Sequence, residues 1–219
     1  MPTYNDKIRT LSVINALKEL YPNAGIELDF RNAFELIVAV ALSAQCTDVR
    51  VNKVTPALFA KYPTAADLAV CDMEELERLI FSTGFYKNKA KNLRGMADIL
   101  VRDHGGEVPD DIEKLILLPG VGRKTATVVL YNWFGRCDGI TVDTHVMRVA
   151  GKLGLISKTM AAGRNAIVIE RHLMKIVPRE DWGLFTHLLI FHGRRRCIAR
   201  RPDCKNCHMY DSCVAPADF

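Results

Sequence analysis

Four cysteines, Cys197, Cys204, Cys207 and Cys213, stand in a C-x6-C-x2-C-x5-C array. Four thiolates in one short stretch can close around a single metal centre. Zinc sites usually combine two knuckles, whereas here a single C-x2-C pair is flanked by lone cysteines. Spacing alone favours an iron–sulfur centre and leaves zinc open. Upstream, Gly120-Val121-Gly122 is followed by Arg123 and Lys124. A Gly-rich turn that opens a helix presents backbone N–H groups to a phosphate. One residue separates these glycines, so the spacing is not that of a Walker A loop. An amine such as that of Lys124 attacks carbon only when deprotonated, a state that burial or neighbouring cations favour. Asp143, in Val142-Asp143-Thr144-His145, is a carboxylate suited both to capping a helix and to acid–base work. Each group also has a plain structural use: a helix–helix connection, a solvated lysine, a cap. His145 is more readily a packed histidine, and we assign it no role.

The formal net charge is +5 over 219 residues, a mild excess that does not by itself imply nucleic acid. Its distribution says more. Arg194, Arg195, Arg196, Arg200, Arg201 and Lys205 crowd the cysteine array against one acid, Asp203. The N-terminal residues Tyr4-Asn5-Asp6-Lys7 have no apolar core of a secretory signal, and the run Leu36–Leu42 is too short to span a bilayer. An intracellular, reducing compartment is expected, cytoplasmic in a prokaryote. Clustered cysteines there favour metal over disulfides.

The elements that must position these groups read as helices. Ile8, Leu11, Ile14, Leu17 and Leu20 mark an amphipathic helix that stops at Pro22. Phe34–Leu42 is apolar on nearly every side and belongs inside a core. Asp72 with Glu75 resembles a capping box ahead of Leu76, Leu79 and Ile80. Ala90, Leu93, Ala97 and Leu100 form a stripe ending near Gly105-Gly106. A short helix Ile112–Leu118 meets the Gly-rich turn, which Pro119 opens, and a second runs on to about Phe134. Asp143 caps a helix through Val149, and two more are expected near Ala161–Ile176 and Asp181–Phe191. Alternating strand patterns are nearly absent. The expectation is an all-α protein of about ten helices.

The segments LPGVGRKTA, VDTHVMRV and HGRRRC with the cysteine array resemble, in this order, the endonuclease III family of bifunctional DNA glycosylases in the helix-hairpin-helix superfamily. LSAQCTD at Leu42–Asp48 and NKAKN at Asn88–Asn92 look like that family too. The resemblance runs from about Tyr4 to Cys213.

The resemblance implies a base-excision repair enzyme for oxidised pyrimidines in duplex DNA, with abasic-site lyase activity. Lys124 matches the Schiff-base lysine and Asp143 its activating carboxylate. The four cysteines match the ligands of a [4Fe-4S] cluster that holds a basic loop against DNA. Gln45 matches the residue that fills the gap left by a flipped nucleotide. Phe85 stands where the family often has Leu after Thr-Gly, and Phe can wedge into a base stack. DNA contacts are expected from Gly120, Val121, Gly122 and Arg123, and from Arg194, Arg195, Arg196, Arg200 and Arg201. The architecture implied is two domains. Residues 26–136 form a six-helix domain with the hairpin, and residues 1–25 with 137–219 form the cluster domain, DNA lying at the cleft. A monomer without membrane association is expected.

Three alternatives bear on this. An adenine glycosylase of the superfamily carries a glutamate where Leu36–Ala44 has no carboxylate, and the six residues after Cys213 leave no room for its extra domain. A thymine mismatch glycosylase is opposed mainly by Lys124. A non-catalytic DNA-binding module would not require Lys124 and Asp143 together.

Overall fold

The computed structural model describes residues 3–215. Among them are twelve α-helices, two short 3-10 turns and no strand. The chain divides into two compact units, Glu27–Arg136 and Met1–Ile26 with Cys137–Phe219. None of the described helices is long and apolar enough to cross a membrane.

The first unit carries α2 (Ala33–Leu42), α3 (Asp48–Lys61), α4 (Ala65–Ala69), α5 (Met73–Ile80), α6 (Tyr86–His104), α7 (Ile112–Leu115) and α8 (Arg123–Phe134). Helix α2 is the hub: Leu36, Ile37, Val38, Ala39 and Leu42 have no exposed surface, and α3, α6 and α8 pack around it. Helix α3 is not among the helices expected from the sequence, and it holds Pro56 inside it. Its apolar residues nevertheless recur at helical spacing, and Val51, Val54, Leu58 and Phe59 are buried. At α5, Asp72 accepts from the Glu75 N–H at 3.0 Å. The return bond of a capping box is not made there, because the Glu75 carboxylate pairs with Lys61 at 3.0 Å. Helix α7 is a single turn, shorter than the expected Ile112–Leu118, and the chain continues to Leu118 in tight turns.

The second unit carries α1 (Tyr4–Leu20), α9 (Thr144–Lys152), α10 (Lys158–Gly163), α11 (Ala166–Ile176) and α12 (Trp182–Arg195). Helix α1 starts from a capping box between Thr3 and Asp6. It buries Thr10, Val13, Ile14 and Leu17, while Ile8 and Leu11 stay exposed. A stripe of strict spacing three cannot remain on one face: each step of three residues turns about 300°, so its ends drift apart. The expected helix over Ala161–Ile176 is broken in two, because Arg164 adopts a left-handed backbone (φ 48°) and Asn165 caps α11 anew. The core gathers Ile14 and Leu17 of α1, Val146 and Val149 of α9, Leu173 of α11, and Phe185 and Leu188 of α12. Met209, from the cysteine loop, is buried in the same core.

Candidate functional site

Within the first unit the Gly-rich hairpin sits on α6. Gly120 has φ 78°, and a Cβ there would stand 3.0 Å from Asn92 Cβ and 3.1 Å from Asn92 Nδ2. Glycine is therefore required twice, for its backbone angle and for close approach. Gly95 makes similar room for Pro119, whose Cγ is 3.4 Å from an added Cβ. Val121 is the buried anchor of the turn, and its N–H donates to the Leu118 carbonyl at 3.0 Å.

Gly122 occupies the N-cap of α8 and offers no side-chain acceptor. The first N–H groups of α8 thus have no cap, the arrangement that accepts a phosphate. Arg123 and Lys124 are exposed on that opening turn. Glycine at this N-cap leaves space that a serine or aspartate would fill.

Gln45 and Phe85 lie on two turns of the same unit. Both are exposed, and both adopt left-handed backbone, φ 55° and 49°. Gln45 is third in the turn Ser43–Cys46, closed by the Cys46 N–H to the Ser43 carbonyl at 3.0 Å. A positive φ at that position usually calls for glycine. Phe85 is the N-cap of α6 and makes no side-chain cap. Holding bulky residues in this region costs on the order of 1–3 kcal/mol each and persists only where surroundings enforce it.

In the second unit, Asp143 is the N-cap of α9. Its Oδ1 accepts from the Val146 N–H at 2.8 Å, and the side chain is half-buried. His145 packs against Gly193 of α12: a Cβ on Gly193 would lie 3.0 Å from His145 Nδ1. Burial holds the imidazole below its ordinary pKa.

The cysteine loop begins where α12 ends and is stitched to α9 at both ends. Arg148 donates to the Cys197 carbonyl through Nε (3.1 Å) and Nη2 (2.8 Å), and to the Gly193 carbonyl at 3.0 Å. At the far end, the Lys152 carbonyl accepts from the Val214 N–H at 2.9 Å and the Cys213 thiol at 3.3 Å. Arg9 of α1 adds a bond to the Ser212 carbonyl at 2.5 Å. Arg196 pairs with Asp203 at the surface, and Arg195 lies over the Phe191 ring at 3.9 Å. Arg200 and Arg201 are exposed.

None of the four array cysteines is in a disulfide, and all four line one pocket with His192 and Met209. Burial pushes the Cys197 and Cys207 thiols up, while Arg148 and Lys152 pull Cys197 back, as Arg196 does Cys207. Burial also drives His192 down to about 4. Among the described residues no three His, Cys, Asp or Glu side chains converge closely enough to hold one metal ion. Four thiols lining one pocket are a donor set that could hold a metal centre.

Sequence reasoning gave no role to Lys89, Asn92 or Arg148. Lys89 and Asn92 lie in NKAKN and Arg148 in VDTHVMRV, yet each has a partner far off in sequence, the Leu42 carbonyl, Gly120 and the Cys197 carbonyl.

The family model for HhH-GPD superfamily base excision DNA repair proteins matches residues 38–179. Endonuclease III of Synechocystis sp. is 50% identical over 207 residues, which cover 94% of this chain and 92% of that protein. The protein in a non-covalent endonuclease III–DNA complex is 43% identical, with a TM-score of 0.89 over 98% of this chain and 96% of that one. A trapped endonuclease III–DNA covalent intermediate gives 43% identity and a TM-score of 0.88, over 98% and 97%.

Proposed function

The chain belongs to the endonuclease III family of the HhH-GPD superfamily of base excision DNA repair proteins, and on that premise we propose that Lys124 and Asp143 carry its chemistry. The enzyme is a bifunctional DNA glycosylase and abasic-site lyase of base excision repair. Its substrate is duplex DNA holding an oxidised pyrimidine or an abasic site, and it works as a monomer. The observation that carries this reading is the exposed Lys124 on the uncapped first turn of α8.

The hairpin N–H groups of Gly120–Arg123 bind a backbone phosphate and so bring Lys124 to the sugar. Lys124 Nζ, as the free amine, attacks C1′ of the damaged nucleotide. The C1′–N bond to the base breaks, and the base leaves with the bonding electrons and a proton. Loss of a proton from the amine and opening of the sugar give an imine, which makes the C2′ proton acidic. Removal of that proton expels the 3′ phosphate, cutting the strand. Asp143 accepts the proton that frees Lys124 and stabilises positive charge developing on the sugar. Both roles suit a carboxylate with only Oδ1 in the α9 cap. Gln45 fills the place of the extruded nucleotide and Phe85 parts the opposite strand.

Cys197, Cys204, Cys207 and Cys213 would hold a [4Fe-4S] cluster. The cluster supplies a folded, basic loop for DNA rather than bond chemistry. Arg194, Arg195, Arg200 and Arg201 add attraction for phosphates, and Arg196 shapes the loop through Asp203.

The test is borohydride trapping on DNA with an abasic site. Wild type should become covalently attached. Lys124→Ala should not, while its DNA affinity stays near that of wild type, because phosphate contacts come from N–H groups and other cations. Wild-type trapping in the variant would overturn the assignment.

A further inference from the structure

Lys89 is a buried lysine, 8% exposed, in the first turn of α6. Its ammonium donates to the Leu42 carbonyl and to the Thr83 carbonyl, each at 2.8 Å. Leu42 ends α2, three residues before Gln45, and Thr83 ends the 3-10 turn Phe81–Thr83, two residues before Phe85. The Lys89 N–H also donates to the Phe85 carbonyl at 3.1 Å. One residue therefore grips the roots of both left-handed turns.

The placement is costly. An ammonium out of water must be hydrogen-bonded, and the N-terminal end of its own helix repels a cation. Helix α6 has no acid in its first turn and no side-chain cap to relieve this. Burial accordingly lowers the pKa of Lys89. A leucine would pack more cheaply. What it could not do is satisfy two carbonyls at helix ends from separate elements. Nor is Lys89 a phosphate contact, since its amine faces inward, whereas Lys87 and Lys91 are exposed.

We propose that Lys89 is a positioning residue that holds the Gln45 and Phe85 turns in register for base extrusion. The inference rests on the wedge reading of those two residues. Without the clamp each turn can relax from its left-handed backbone, and the two side chains no longer enter the duplex together.

The experiment compares wild type, Lys89→Met, Gln45→Ala/Phe85→Ala, and the triple variant under single-turnover conditions. Two substrates are used, a duplex with 5-hydroxycytosine and a duplex with a pre-formed abasic site. Lys89→Met should slow excision of the damaged base about tenfold more than abasic cleavage, since unstacking a paired base costs a few kcal/mol. In the wedge-free background it should add nothing, because it acts through the wedges. A 2-aminopurine opposite the lesion should brighten on wild-type binding and stay dim with Lys89→Met. Lys89→Gln, with N–H donors on a shorter stem, should recover part of the excision rate, and takes over the comparison if Lys89→Met does not fold. Equal losses on both substrates, or a further loss in the triple variant, would overturn the inference. If Gln45→Ala/Phe85→Ala itself excises at the wild-type rate, the wedge reading fails and this inference falls with it. A wild-type rate in Lys89→Met beside a slow double variant sinks the clamp alone.

Discussion

Asn92 lies directly against Gly120, so that a β-carbon on the glycine would stand 3.0 Å from Asn92 Cβ. Helix α6 thereby carries the hairpin as well as the roots of the Gln45 and Phe85 turns, and small changes at the contact should reach DNA binding.

Gly120→Ala meets that contact and a φ of 78° together. Left-handed strain and the displaced α6 should lower unfolding free energy by about 1–3 kcal/mol. Thermal unfolding measures this. Affinity for abasic-site DNA should fall as well, and with it the salt dependence of binding, as one phosphate contact is lost.

Asp143→Asn and Asp143→Ala separate capping from chemistry. Asn remains a good N-cap, so stability should change little, whereas Ala should cost about 1 kcal/mol. Both should slow base excision by about 10²–10⁴, the usual weight of a positioned acid–base group. Melting temperatures and single-turnover rates give the two readouts. If Asn excises like wild type, Asp143 is only a cap.

Phe85→Gly should behave unlike a core substitution. Glycine accommodates φ 49° without strain, so stability should hold or rise by about 1 kcal/mol. Excision of 5-hydroxycytosine from duplex DNA should still drop about tenfold or more. A melting temperature lowered by several degrees would show that Phe85 is needed for the fold instead.

Anaerobically purified protein should be yellow-brown, with about four irons per chain. Cys204→Ser should reduce iron content and soluble yield, since the loop folds around its metal. Because Arg148 and Lys152 bind the loop to α9, loss of iron should also slow the chemistry assigned to Asp143. Stoichiometric zinc without iron would reject the cluster.

Much of this was readable in the linear chain. Caps are local, so Asp143 and the Gly122 opening of α8 could be placed from a few neighbouring residues. The all-apolar run of α2 declared itself a core helix, because its composition leaves it no exposed face. The cysteine spacing bounded the metal chemistry for a similar reason: four ligands within seventeen consecutive positions must share one loop.

Tertiary structure decided what depends on partners distant in sequence. Glu75 leaves its helix cap for Lys61, and Arg196 pairs with Asp203. Only packing selects which part of the drifting α1 stripe is buried, since a spacing of three circles the helix. The left-handed backbones of Gln45 and Phe85 run against their own preferences, and no local rule finds them. Lys89 reads as an ordinary surface lysine until Leu42, 47 residues earlier, supplies the carbonyl that makes burial tolerable. Hydrogen bonds to a buried charge are set by where the chain returns, and that is a property of the fold.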